Sequence, residues 1–171
     1  MKPARIVIAL FVVVPVLAAA GIAAGGGVGA KNATARFHDL DKAIEAGYSV
    51  TVADLAGITC IQDPAGSGTM GVHMLNPALL DATIDADAPE LLVYAPKPNG
   101  ELKLVALEYL VLKSVWEAAG HTSPPALFGE EFMLTPVGNR YGLPDFYALH
   151  AWIWNSNPSG LFAPYNPSVS C

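Results

Sequence analysis

The stretch LLVYAPKPNGELKLVALEYLV, residues 91–111, decides the reading of the fold. Two apolar, branched runs, residues 91–96 and 102–111, flank Asn99-Gly100, a pair that readily takes the positive φ angles of a two-residue turn. The spacing predicts a β-hairpin in which Leu91 faces Glu108 and Val93 faces Ala106. Side chains alternate along a strand, so Leu102, Leu104, Ala106, Glu108 and Leu110 share one face, and Glu108 is its only polar member.

Outward from the hairpin the chain continues in short elements. Residues 70–75 are strand-like and end at Asn76-Pro77, a turn signal, with a brief helical turn predicted over residues 78–80. Residues 81–89 read as an acidic loop, and residues 128–134 fit either a helix or a strand. A second aromatic-rich run, residues 146–154, reads as a buried strand, placing His150 on one face with Phe146, Ala148, Trp152 and Trp154. Toward the N-terminus, Asn32 or Thr34 is placed to cap a helix whose apolar positions are Phe37, Leu40, Ile44 and Tyr48, with Gly47 as its stop. The fold class expected is α+β: a mostly antiparallel sheet with one or two packed helices, in a single domain with one disulfide.

That disulfide is expected between Cys60 and Cys171, the two cysteines of the chain. An even pair in an exported protein most simply forms a bridge, and this one ties the last residue back to the body. The tail before it, with Leu161, Phe162 and Tyr165 among prolines, then reads as an ordered strap.

Export itself is read from residues 1–30. Lys2 and Arg5 precede an uncharged apolar run from residue 6 to 20, and small residues and glycine follow to Ala30. This is the layout of a signal peptide, or of an N-terminal membrane anchor if it is not cleaved. Cleavage is the favoured reading, because the glycine-rich end is a poor helix. Residues 31–171 form the globular domain, located in the cell envelope or secreted.

Charge limits the partners. The leader holds two of the nine basic residues and none of the fifteen acidic ones, which leaves seven against fifteen and a net charge of −8 on the remainder. So few cations cannot neutralise a row of phosphates, so nucleic acid is excluded, and membrane contact is expected only through the N-terminal segment. A phosphate loop and a Gly-x-Ser-x-Gly nucleophile elbow are both missing from the sequence, which does not decide whether the protein is an enzyme.

The chemistry is expected where polar groups interrupt apolar strands. Glu108, His150 and His73, the last between Gly71 and Leu75, are three such interruptions on three strands. A carboxylate buried alone costs several kcal/mol and must be paired, protonated or metal-bound. Two neutral imidazoles and one carboxylate suit a divalent transition metal, namely zinc, copper or iron, with an open position for water or a ligand. His121 and the pair Glu130-Glu131 are weaker candidates. No local spacing such as HExxH ties the three together, and a structural reading stands beside the metal. Buried Glu and His more often hydrogen-bond one another, the backbone or a tyrosine such as Tyr94, Tyr109 or Tyr147. The protein is then a metal-free module that binds a small molecule or an envelope protein.

The segments Ala33-Thr34-Ala35-Arg36-Phe37-His38 with Ala46-Gly47-Tyr48, Met70-Gly71-Val72-His73 with Asn76-Pro77, and residues 150–166 together resemble exported bacterial proteins of unassigned function. The resemblance samples most of the chain after the leader. It implies export and no named activity.

Overall fold

The computed structural model describes the backbone from Ala20 and the side chains from Gly27, through to Cys171. The positive and apolar parts of the leader, residues 1–19, lie outside the described residues. Among the described residues no helix is long and apolar enough to cross a membrane.

The glycine-rich segment is helical after all: α1 spans Ala20–Thr34. Packing overrides its weak propensity, since Ala30 is fully buried in the main core and the Thr34 hydroxyl donates to the Ala30 carbonyl at 2.7 Å. Thr34 therefore ends α1 and also stands at the N-cap position of the next turn, where its side chain makes no capping hydrogen bond. A 3-10 turn, Ala35–His38, follows, and α2 (Leu40–Glu45) is capped by Asp39, whose carboxylate accepts from the Asp41 N–H. Phe37 and Tyr48 are buried as expected, whereas Ile44 faces solvent. Gly47, at φ 101°, ends the segment as expected.

The strands are β1 (Val50–Thr51), β2 (Cys60–Gln62), β3 (Thr69–Leu75), β4 (Leu91–Pro96), β5 (Leu102–Leu112), β6 (Ala126–Leu127), β7 (Glu130–Glu131), β8 (Met133–Thr135) and β9 (Phe146–Ala151). A short helix, α3 (Lys113–Ala118), follows β5. Seven strands form one antiparallel sheet in the order β1-β3-β4-β5-β9-β8, and β2 pairs with β3 beside β1, while β6 and β7 make a separate ribbon. Residues 128–134 thus become two short strands and not a helix, because Phe128 sits at φ 56° between β6 and β7 and breaks any helical run. The whole is α+β, with helices on one face of the sheet.

The hairpin holds its expected pairing at the far end and differs at the tip. Leu91 pairs with Glu108 and Val93 with Ala106. Nearer the turn Tyr94 pairs with Leu104, so Val105 is an extra residue in β5. The loop has three residues, because the Gly100 N–H donates to the Lys97 carbonyl, the Lys97 N–H to the Glu101 carbonyl, and Gly100 takes φ 83°. This longer loop shifts the register by one and the Val105 bulge shifts it back. Leu104 consequently joins the core on the helical face with Tyr94, while Ala106 packs with Val93 on the other.

The helical face buries Phe37, Tyr48, Leu92, Leu107, Tyr109 and Leu149. The opposite face carries Leu91, Leu110 and Phe146 with Val52 and Tyr141, and it is covered by loops and by the C-terminal strap. β9 ends at Ala151 and not at Trp154, because the chain turns there with the Ile153 N–H donating to the Ala151 carbonyl. The strap is ordered as expected. Asn166, fully buried, forms a two-way backbone bridge with Thr69, Trp152 Nε1 donates to the Ala163 carbonyl at 2.6 Å, and Cys171 is bonded to Cys60 with Cα atoms 5.8 Å apart. Gly68 permits this closure: a Cβ there would lie 2.5 Å from the Asn166 carbonyl carbon.

Candidate metal centre

Three strands bring the site together on the loop-covered face. His73 of β3 pairs with Val93 of β4, and Glu108 of β5 pairs directly with His150 of β9. Their side chains rise from the same face and converge. His73 Nε2 lies 3.3 Å from Glu108 Oε2, His150 Nδ1 lies 3.6 Å from Glu108 Oε1, and one ligand atom from each residue lies within 4.8 Å of the others. The imidazole planes meet edge to face with centroids 5.3 Å apart. His73 and His150 are buried, and the Glu108 side chain is 12% exposed. The group can hold one metal ion.

Local sequence makes the convergence possible. Gly71, two residues before His73 on the same face, has φ 119°, and a Cβ there would sit 2.5 Å from the Tyr94 carbonyl oxygen. Only glycine lets β3 approach β4 so closely at this point.

Burial strips water from His73 and lowers its pKa to about 4, against a smaller upward pull from Glu108, while His150 opposes protonation. His73 is therefore neutral near pH 7, with a lone pair to offer. Burial pushes the Glu108 carboxyl up, but the imidazoles of His150 and His73 outweigh it and hold the group below the usual carboxylate range. A neutral imidazole beside an ionised carboxylate is the protonation state a divalent cation requires. On the outer side of the rings, His73 Nδ1 and His150 Nε2 are buried and, among the described residues, have no hydrogen-bond partner of normal geometry, although the Gly71 backbone lies near enough to His73 to favour its protonation slightly.

Two cavities meet at this cluster. One, of about 170 Å³, is lined by His73 and Glu108 together with Val52, Leu75, Leu91, Leu110 and other apolar side chains. The other, of about 140 Å³, is lined by Glu108 and His150 with Met133, Thr135, Glu130 and Glu131. Glu108, Tyr141 and Phe146 border both.

Of the weaker sequence candidates, Glu130 and Glu131 reach the rim of the second cavity only. His121 stacks on Trp116 at 3.6 Å, is exposed, and borders neither cavity. The tyrosines expected to serve a structural network do not reach the cluster. Tyr94 donates to the Phe37 carbonyl and Tyr109 to the Ala86 carbonyl, and both, with Tyr147, belong to the core on the helical face.

Two residues escaped the sequence reading. Tyr141 sits in a loop, where periodicity says nothing, yet its phenol borders both cavities and its only hydrogen-bond contact among the described residues is a weak one to the Met70 sulfur at 3.8 Å. Its loop is fastened by Arg140, which donates to Asp54 at 2.7 Å and to the Gln62 carbonyl at 2.9 Å. Glu90 is 1% exposed and accepts from the Leu110 N–H at 2.9 Å, and burial raises its pKa to about 7. A detectable signal existed for Glu90, as the one polar member of the strand face it shares with Leu92 and Tyr94.

Comparison with protein-family models, with curated proteins and with solved structures finds no match, so the reading of this site stands on its geometry.

Proposed function

We propose that this is an exported, disulfide-bonded protein that binds one divalent transition metal ion, zinc, copper or iron, through His73, Glu108 and His150. The observation that carries the reading is the convergence of the three side chains: one ligand atom from each lies within 4.8 Å of the others, and the two imidazoles approach different oxygens of Glu108 at 3.3 and 3.6 Å. Charge-assisted hydrogen bonds between such groups are shorter, about 2.7–2.9 Å. Ligands at about 2.0–2.1 Å around a tetrahedral ion are instead separated by roughly 3.3 Å. Three protein ligands leave a fourth position open, and the two cavities are lined by these same residues, His73 and Glu108 in one and Glu108 and His150 in the other. Export is supported by the leader and by the disulfide, which persists in oxidising compartments.

A metal-free binding module is the second reading, and the outer ring nitrogens favour it. A ligating imidazole ordinarily donates its other N–H to a neighbour. Among the described residues His150 Nε2 has no such acceptor and His73 Nδ1 none of normal geometry, whereas as bare lone pairs, with the protons turned toward Glu108, they cost less.

The deciding experiment is the metal content of the full chain, expressed with its leader, purified without a polyhistidine tag, loaded with zinc and dialysed. Near-stoichiometric metal in the parent and none in a His73→Ala/His150→Ala double variant supports the centre. A parent that retains no metal rejects it in favour of the second reading.

A further inference from the structure

The cavity of about 170 Å³ is closed in by leucine, valine and phenylalanine, and its polar wall is confined to His73, Glu108 and Tyr141. A mostly apolar pocket with a few converging polar groups is the usual form of a small-molecule site. An apolar cavity of about 150 Å³ accommodates benzene, so this one has room for one six-membered ring or a chain of about six carbons.

Charge fixes the other end of the ligand. A divalent cation held by two neutral imidazoles and one carboxylate carries one uncompensated positive charge. Among the described residues no lysine or arginine lines this cavity, and Glu108 is its single acidic group. An uncompensated charge facing an apolar wall is costly, and a monoanionic ligand leaves the assembly neutral. The second cavity already carries Glu130 and Glu131 at its rim, which repel an anion. The ligand's body therefore belongs in the first cavity, with its head at the metal and the Tyr141 phenol, whose contact to the Met70 sulfur is a weak one at 3.8 Å, redirected to donate to it.

We infer that the cavity beside His73 and Glu108 binds a small monocarboxylate whose apolar body, one ring or about six carbons, packs among Val52, Leu75, Leu80, Leu91 and Leu110 while its carboxylate completes the metal's coordination. This rests on the metal reading above and specifies the ligand class.

The test titrates zinc into the full chain first, then titrates benzoate and acetate into the zinc-loaded and zinc-free forms, by calorimetry. The same series is run on Leu80→Trp and Val52→Phe, two partly buried cavity-wall substitutions chosen so that one misfolded variant does not end the test. The expected result is benzoate binding at least tenfold tighter than acetate to the zinc form and undetectably to the zinc-free form. At least one wall variant keeps full zinc uptake and loses the preference for benzoate. Zinc uptake with equal benzoate and acetate affinities overturns this inference and leaves the metal reading standing. So does a preference that survives in every wall variant that takes up zinc, or equal benzoate affinity in the zinc-free form. Failure of zinc to bind the parent overturns the metal reading, and this inference with it.

Discussion

His73 and Glu108 belong to strands that are not neighbours, and their side chains meet at 3.3 Å over the intervening β4. Two strand spacings amount to about 9.6 Å, so both side chains must lean inward over Leu91 and Val93 to touch. Such an approach brings together groups that have no backbone reason to meet, and it exposes the arrangement to direct tests.

Replacing Glu108 separates the two readings through stability alone. In the metal-free protein, Glu108→Leu is expected to be neutral or to stabilise by about 1 kcal/mol, because an apolar residue of similar size removes a buried charge held by long contacts. A well-bonded structural network predicts a loss of about 3–5 kcal/mol instead. Urea denaturation in the presence of a chelator measures the difference, and the variant is expected to take up no zinc.

Zinc is expected to raise the melting temperature of the parent and leave that of His73→Ala/His150→Ala unchanged. At a free concentration one hundred times the dissociation constant, the stabilisation is about 2.7 kcal/mol. A thermal scan over a zinc series measures it, and equal shifts in both proteins place the ion elsewhere.

The pH dependence of stability follows from two buried groups of opposite sign. His73 titrates near 4 in the folded protein, below its ordinary 6.5, so its contribution is present above pH 6.5 and is lost as pH falls toward 4. Glu90 is raised from 4.5 to about 7, so its contribution is present below pH 4.5 and is lost as pH rises toward 7. Glu108 is lowered from its ordinary value, so its contribution is lost on acidification with the same sign as that of His73. Between about pH 4.5 and 6.5 the slopes of His73 and Glu90 oppose one another. Glu90→Gln keeps an acceptor for the Leu110 N–H and removes the alkaline loss, so it is expected to stabilise the protein at pH 8 by up to about 3 kcal/mol. Denaturation of both proteins at pH 5 and pH 8, with chelator, reads this as a gain confined to the higher pH.

Gly71→Ala is expected to cost at least about 2 kcal/mol, through its positive φ and the collision with the Tyr94 carbonyl. Because β3 must then move off β4, zinc affinity is expected to fall in the same variant. A stable Gly71→Ala protein with unchanged zinc affinity contradicts the close approach.

Breaking the disulfide by Cys60→Ser/Cys171→Ser frees a loop with a sequence separation of 111 residues. The expected loss is about 4–5 kcal/mol at most, and proteolysis is expected to begin in the strap. Limited digestion followed by mass spectrometry locates the first cut.

Much of the candidate site was legible because alternation is a strong signal. Glu108, His150 and His73 each interrupt an apolar run, and each proves to lie on the same face of one sheet. Their meeting was not legible: it depends on the strand order β3-β4-β5-β9, and nothing local in the sequence encodes which strands become neighbours. The tip of the hairpin was misread because Asn99-Gly100 suits a two-residue turn and equally the last two positions of the three-residue one found here. The single face assigned to Leu104 and Ala106 failed with it, since a bulge leaves no trace in hydrophobicity when the extra residue is Val105, itself buried. The N-terminal helix was misjudged from glycine propensity, which the burial of Ala30 outweighs. Tyr141 lay beyond reach altogether, because a loop residue's position is set by what fastens the loop, here Arg140 on Asp54.

The bulge at Val105 has a practical consequence. Because it absorbs the one-residue offset made at the turn, the pairing beyond it keeps the register that a two-residue turn would have given. Glu101, just before β5, lies seven residues from Glu108, about 23 Å of extended chain, and residues 97–101 are exposed. The tip is thus an insertion port: an epitope or fluorophore-bearing peptide spliced between Asn99 and Gly100 would report on the protein from outside, without adding metal-binding histidines and without changing the phase of the strand that carries Glu108.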